Sequence, residues 1–315
     1  MTLLQCMSHS PLIRFNEPDD AVRRTIDLEI SIARKRIATY SPDLVIVFSP
    51  DHYNGFFYDN MPPFCVGLGS HAIGDYQSLA GPLSVPQAVA EKLVGHLFEH
   101  NFDTSISYDM AVDHGVAQPL EFLLGSLDSV DVIPVFVNSV ALPLMPVARI
   151  WSFGVAIGRF LATLNARVLL IGSGGLSHDP PIPRLAEASD AARKMIMCGR
   201  NLSVDQRAVR EKKVIEAGRE FAATGGEALG MRALNPEWDQ NFLDILTRGD
   251  AKEISGLDNA EIERLGGKSA HEIRTWVAAF GALSAFGPYA VGSSFYRAVP
   301  EWIAGFALMQ AQSST

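Results

Sequence analysis

The chain predicts an α/β fold of three layers, α/β/α, with a central mixed sheet and a helical insertion in its second half. Apolar runs that read as buried strands alternate with amphipathic stretches as far as residue 171. Three of those runs feed loops that carry a histidine. In an open α/β sheet the strand ends converge on one crevice, so such residues can meet. Beyond residue 184 the strand signal stops and several helical patterns follow one another.

Residues 3–7 are the first strand, running into Ser8-His9-Ser10-Pro11. Asp19 or Asp20 caps a helix with Val22, Ile26, Ile30, Ala33 and Ile37 on one face. Residues 43–48 are the second strand, leading into Ser49-Pro50-Asp51-His52-Tyr53-Asn54-Gly55. A long aromatic loop, residues 50–63, follows. Loops of that length in a compact domain are often functional. Its Tyr53, Phe56 and Phe57 either cover the core or wall a pocket for a planar ring. Pro86 opens a helix to residue 100, residues 104–108 and 131–137 read as strands, and residues 118–124 are helix-like. A helix over 146–164 and a strand over 167–171 lead to Gly172-Ser173-Gly174-Gly175-Leu176-Ser177-His178. Helical patterns then cover 185–200, 205–222, 237–248 and 258–265. A further helix spans 269–286, and residues 289–299 return to the sheet. No repeat or linker interrupts the chain, so the expected organisation is one domain, residues 1–315, with the insertion at roughly 184–266.

Composition narrows the function classes. A net charge of −9 argues against nucleic acid as a partner. It leaves room for a small anionic substrate, which needs only one or two local cations. The three cysteines form no CxxC pair, which speaks against a disulfide framework or a structural zinc. Neither a signal peptide nor a bilayer-spanning apolar run is visible, so the expected location is the cytoplasm, away from membranes.

His9 and His52 each follow a strand and are flanked by small or polar residues. One strand-end histidine usually bonds a backbone carbonyl; two at successive turns point to a metal. Neutral imidazole suits Fe(II), zinc or copper, and two histidines plus a carboxylate leave positions open for substrate. Glu272 is the chosen carboxylate, although Ser269-x-x-Glu272 also fits a helix capping box. Asp51 and Glu121 compete with it. His114 and His178 are candidates for acid–base work. Asp113 either tunes His114 or is a turn residue. Gly172, Gly174 and Gly175 let backbone approach a ligand closely, but Pro180 and Pro181 break any dinucleotide fingerprint. Ser177 lacks the strand–nucleophile–helix elbow of a hydrolase. His71, His96 and His100 read as surface residues, and His271 as a first-turn helix residue without a role.

Six segments together resemble the class III extradiol ring-cleaving dioxygenases, the LigB-like superfamily, over nearly the whole chain. They are Ser8-His9-Ser10-Pro11-Leu12, Pro50-Asp51-His52-Tyr53-Asn54-Gly55-Phe56-Phe57-Tyr58 and Asp113-His114-Gly115-Val116-Ala117-Gln118-Pro119-Leu120-Glu121. The others are Gly172-Ser173-Gly174-Gly175-Leu176-Ser177-His178, His271-Glu272-Ile273-Arg274-Thr275-Trp276 and Pro300-Glu301-Trp302-Ile303-Ala304-Gly305-Phe306. The resemblance implies Fe(II) held by His9, His52 and Glu272, with His114 as proton donor and His178 as proton acceptor. It raises Glu272 above its capping alternative. It implies meta cleavage by O2 of a catechol bearing a short carboxylate side chain, with no organic cofactor, in a homo-oligomer of four or more chains. Arg274 and Arg297 are the candidates to meet that carboxylate. Two other classes fit the scaffold: a metal-dependent hydrolase that activates water, and a non-enzymatic binding protein of the Memo type. Oxygen uptake separates the hydrolase, and the presence of all four histidines speaks against the binding protein.

Overall fold

The structure is a computed structural model that describes residues 2–200 and 202–313. Strand β1 (Leu3–Met7) is buried along its whole length. Helix α1 (Asp20–Tyr40) starts where the Asp19 carboxylate accepts from Ala21 N, and it buries Ile26, Ala33 and Ile37. Strand β2 (Leu44–Ser49) follows, then the 50–63 loop, then three short strands: β3 (Phe64–Gly67), β4 (Ser70–Ile73) and β5 (Ala80–Pro82). Next come α2 (Gln87–Glu99), β6 (Ser105–Ser107), β7 (Met110–Val112) and α3 (His114–Leu124). The pattern β8 (Asp131–Val137), α4 (Val147–Leu161), β9 (Val168–Ser173) completes the βα half.

The helical segment comprises α5 (Asp190–Cys198), α6 (Val204–Thr224), α7 (Pro236–Arg248), α8 (Ala251–Ser255) and α9 (Asn259–Gly266). A single 3-10 turn, Ala270–Glu272, leads into α10 (Ile273–Ser284), and the chain ends in a hairpin of β10 (Tyr289–Val299) and β11 (Ala304–Ser313).

The main sheet is mixed and eight-stranded, in the order β10-β11-β1-β9-β2-β8-β3-β6. Its centre, β1, β9, β2 and β8, is parallel, while β11 and β3 join antiparallel to β1 and β8. A small second sheet, β5-β4-β7, stands apart from it. Strands covered on both faces are built mainly from apolar side chains, and these are, with Gln5, Ser49, Asp131 and Ser173 as their polar members. Leu44, Ile46 and Phe48 of β2 enter a core shared with α4 and α10, while Val45 and Val47 enter one shared with α1 and α3. The helical segment packs into the same cores, through Trp238, Phe242 and Leu246 on one face and Phe221 on the other. The three-layer α/β/α expectation therefore holds.

Helix α10 lies very close to α4. A Cβ added at Gly154 or Gly158 would run into the carbonyl oxygens of Ala278 and Ala282. Those two glycines set the depth of the helix that follows Glu272.

Several expected boundaries move. The strand expected over 104–108 shrinks to β6, and the helix expected over 185–200 shrinks to α5, whose start is fixed by the Ser189 hydroxyl accepting from Ala192 N at 3.4 Å. Residues 118–124 prove to be the end of α3, which begins at His114 itself. Short strands β3, β4, β5 and β7 and the long strand β11 went unforeseen, as did α8.

Candidate metal centre and active site

The parallel neighbours β1, β9 and β2 end side by side, so their outgoing loops bring His9, the Gly172–His178 segment and His52 to one edge of the sheet. His114 enters from the first turn of α3, and Glu272 from the turn before α10. The rings of His9, His52 and His114 gather with centroids 4.5–5.3 Å apart, and their ligand nitrogens come within 4.8 Å of one another.

Hydrogen bonds fix which nitrogen of each neutral ring carries the proton. The Ser173 hydroxyl donates to Gly115 O, so at 2.8 Å it accepts from His9 Nδ1–H. Asp113 can only accept from His52 Nδ1–H, at 3.0 Å, and Asp75 only from His114 Nδ1–H, at 2.6 Å. His178 Nδ1 donates to the Leu176 carbonyl at 3.0 Å. All four imidazoles thus turn a bare Nε2 inward. Nε2 of His9 and of His114 has no hydrogen-bond partner though fully buried.

Three of those nitrogens face one carboxylate. Glu272 places Oε1 3.2 Å from His52 Nε2 and 3.1 Å from His178 Nε2, and Oε2 3.4 Å from His9 Nε2. Lone pairs opposed to a carboxylate at these distances call for a proton or a metal ion between them. Ligands at right angles on a metal with bonds of roughly 2.0–2.2 Å stand about 3 Å apart, so the donor set fits a divalent ion. Its outer partners also fit, because metal-bound histidines usually donate their other N–H to a carboxylate or other fixed acceptor.

The electrostatics agree. Burial presses His9 down to about 3, keeping it neutral. Burial also opposes charge on His52 and His178, but Asp113 and Glu272 outweigh it at His52, and Glu272 at His178, raising both. Burial alone would raise Glu272; the three histidines outweigh it and hold its carboxyl well below the usual range. The cluster attracts positive charge.

Ser269 makes no side-chain cap, so Glu272 serves the site and not a capping box. Its other contact is Gly175 N, donating at 3.1 Å. The glycines of this loop work differently from the sequence reading. A Cβ at Gly174 would meet the Glu272 backbone and Cβ, and one at Gly175 would meet the His178 ring. They make room for protein groups of the site itself. The residues on either side of His178 are also clamped. Asp239 accepts from Ser177 N and Oγ at 2.6 Å each, and Asp179 accepts from Arg232 N and Lys268 N. Ser177, engaged in this way, is no free nucleophile.

The competing carboxylates are occupied elsewhere. Asp51 accepts from the backbone N–H of Asn54, Gly55 and Phe56, and Glu121 pairs with Arg14. Asp113 caps α3 through Gly115 N while orienting His52, not His114. The group that orients His114 is Asp75, which sequence reasoning missed; it lies in another loop, 39 positions upstream. His271 is buried against Glu263 and Arg274, away from the cluster. Arg274 is spent on Met145 O and Asn259, and neither it nor Arg297 reaches the cavity above the histidines. Of the aromatic loop, Tyr53 lines that cavity, whereas Phe56 stacks on Phe136 and Phe57 is buried. The cavity holds about 830 Å³ and is roofed by α5 and α6.

A fold of this type with such a centre has the makings of a catalytic domain that could hold a metal ion. Residues 3–307 match the family described as the catalytic LigB subunit of aromatic ring-opening dioxygenase, and the chain belongs to that family. It is 50% identical over 309 residues to a 2,3-dihydroxyphenylpropionate/2,3-dihydroxicinnamic acid 1,2-dioxygenase of Klebsiella pneumoniae, with 98% of each chain covered. A protein of the same name from Pseudomonas putida, with the suffix 1, is also 50% identical, over 311 residues and 98% of each chain. That of Escherichia coli strain K12 is 49% identical over 311 residues, again covering 98% of each. Among solved structures, an uncharacterized protein from Escherichia coli K12 shares the fold, with a TM-score of 0.54, 13% identity and 98% and 99% coverage. The family expected from the six segments is the family found. No helix among the described residues is long and apolar enough to cross a membrane.

Proposed function

We propose that the chain is an Fe(II)-dependent extradiol dioxygenase. It would open 3-(2,3-dihydroxyphenyl)propanoate, or the corresponding cinnamate, with O2 to 2-hydroxy-6-oxonona-2,4-dienedioate or its trienedioate. One observation carries the reading: three bare histidine nitrogens face the single buried carboxylate of Glu272 at 3.1–3.4 Å beneath a cavity large enough for an aromatic acid. The names of relatives half identical over the full length supply the substrate class.

His9, His52 and Glu272 would hold the metal. Fe(II) there would gather the catechol oxygens and O2 and let electron density pass from ring to oxygen. The protein's own groups manage the protons. His178, at the cavity wall, takes a catechol proton on Nε2, and Glu272 beside it stabilises the imidazolium. His114, oriented by Asp75 and with no protein partner on Nε2, would take up the second catechol proton there and pass it to the oxygen that leaves in O–O cleavage. By its resemblance to the family the active protein would be a homo-oligomer.

The test is anaerobic loading with Fe(II), addition of 3-(2,3-dihydroxyphenyl)propanoate, then air. A yellow ring-opened product with one O2 consumed per catechol supports the reading. Turnover with Zn(II) and no O2 uptake would favour the hydrolase.

A further inference from the structure

We infer that Lys213 binds the side-chain carboxylate of the substrate and so sets the preference for acidic catechols. The inference rests on the ring-cleavage reading above and adds the residue that selects the substrate.

Helix α6 turns one face to the cavity. Gln206, Val209, Arg210, Lys213 and Val214 all line it, at the spacings of three and four that place residues on one side of a helix. Among the described residues, Arg210 and Lys213 are the lysine and arginine side chains in that lining. Arg210 is committed. It donates to Tyr53 O and Asn54 Oδ1 at 3.3 Å and to the carbonyl of His52. The same bonds tether α6 to the loop that carries His52.

Lys213 lies one turn further on, about 4.5 Å along the axis. Its neighbour Lys212 pairs with Glu216 at 3.8 Å on the outer face. Lys213 forms no ion pair or hydrogen bond among the described residues. The carboxylates lining the same cavity are Glu272, held by three histidines, and Asp205, eight residues and about 12 Å up the helix. An ammonium has three donors and no acceptor, and this one, on an exposed residue, lines the cavity together with the apolar side chains of Ile182, Met195, Leu202 and Val209. In a chain of net charge −9, an anionic substrate needs such a local cation. A catechol seated on the histidine cluster with a two-carbon acid arm toward α6 meets it.

The experiment compares kcat/KM for 3-(2,3-dihydroxyphenyl)propanoate with that for 3-propylcatechol, which has the same length and no charge. Parent enzyme, Lys213→Ala and Lys213→Arg are measured at low and high salt. A charge-assisted hydrogen bond partly open to solvent supports an effect of about tenfold. The ratio of acid to neutral substrate should fall by that factor in Lys213→Ala and recover in Lys213→Arg. It should fall with salt in the parent and not in Lys213→Ala. A parent that prefers the acid, with a ratio Lys213→Ala leaves unchanged, overturns the assignment. A parent that opens neither catechol removes the ring-cleavage reading itself, and this inference with it.

Discussion

Asp75→Asn isolates the proton-handling role of His114 without touching a metal ligand. Asp75 accepts twice from one residue, from His114 N at 2.8 Å and from His114 Nδ1 at 2.6 Å. Both groups are buried, so water cannot substitute. An asparagine keeps one acceptor oxygen, enough for the backbone N–H. Its amide nitrogen then faces the ring and forces the proton to Nε2. The imidazolium loses the carboxylate that stabilised it. A hydrogen bond to a charged group is worth about 1.5–3 kcal/mol, which corresponds to roughly 10–100-fold in rate. Removing the imidazole outright, in His114→Phe, should cost more, about 10²–10⁴-fold. Turnover is read from the absorbance of the ring-opened product, and iron from a chelator assay on the same sample. The expected result is a slower Asp75→Asn enzyme with full iron, intermediate between parent and His114→Phe. Turnover within twofold of the parent would show that Asp75 does not govern the step. Loss of iron in His114→Phe would make His114 a ligand, alongside His9 and His52 with which it already clusters.

His9→Ala, His52→Ala and Glu272→Ala should each bind Fe(II) at least 10–100-fold more weakly, the range for losing a mere supporting group; full occupancy in Glu272→Ala would remove it from the set. His178→Phe should retain iron yet fail to form the catecholate in anaerobic titration, and a normal catecholate spectrum would remove its role as base. Gly158→Ala forces a Cβ against the Ala282 carbonyl and should destabilise the protein by about 1–3 kcal/mol in denaturant unfolding; an unchanged midpoint would mean that α4 and α10 separate freely. Burial, resisted by hydrogen bonds from Ser177 and Tyr296, lifts Asp239 to about 6 from its ordinary 3.8. The folded chain then holds that proton more tightly than the unfolded one, so this group's stabilisation is full below about pH 4 and lost as pH rises through about 6, a change of roughly 3 kcal/mol. Urea unfolding at pH 4 to 7, parent against Asp239→Asn, should show that slope flattened in the variant.

The strands that position the site were legible because they are buried on both faces. Residues 44–48 and 168–171 are continuously apolar, a signal that survives without context. β11 was not, because Ala, Leu, Met and Gln favour helix locally and only pairing with β1 and β10 makes them a strand. His9, His52 and His178 stood out because each follows an apolar strand run, whereas the strand before His114, β7, had no such signal. Glu272 was ambiguous, since a capping box and a site carboxylate share one spacing, and only the backbone around Ser269 separates them. Asp75 carried no signal at all. Its pairing with His114 depends on a 3-10 turn, Asp75–Gln77, that brings distant loops together. Lys213 was hidden for a related reason: α6 was legible as a helix, but which of its faces roofs the cavity is a tertiary fact.

Labelled oxygen tests the central claim most directly. The Fe(II)-loaded protein is mixed with 3-(2,3-dihydroxyphenyl)propanoate under ¹⁸O2, quenched rapidly, and the product weighed by mass spectrometry. Ring cleavage by dioxygenation places both atoms of one O2 in the product, one in the new keto group and one in the new carboxylate. A product free of ¹⁸O, or a catechol left intact while O2 is untouched, would contradict the account.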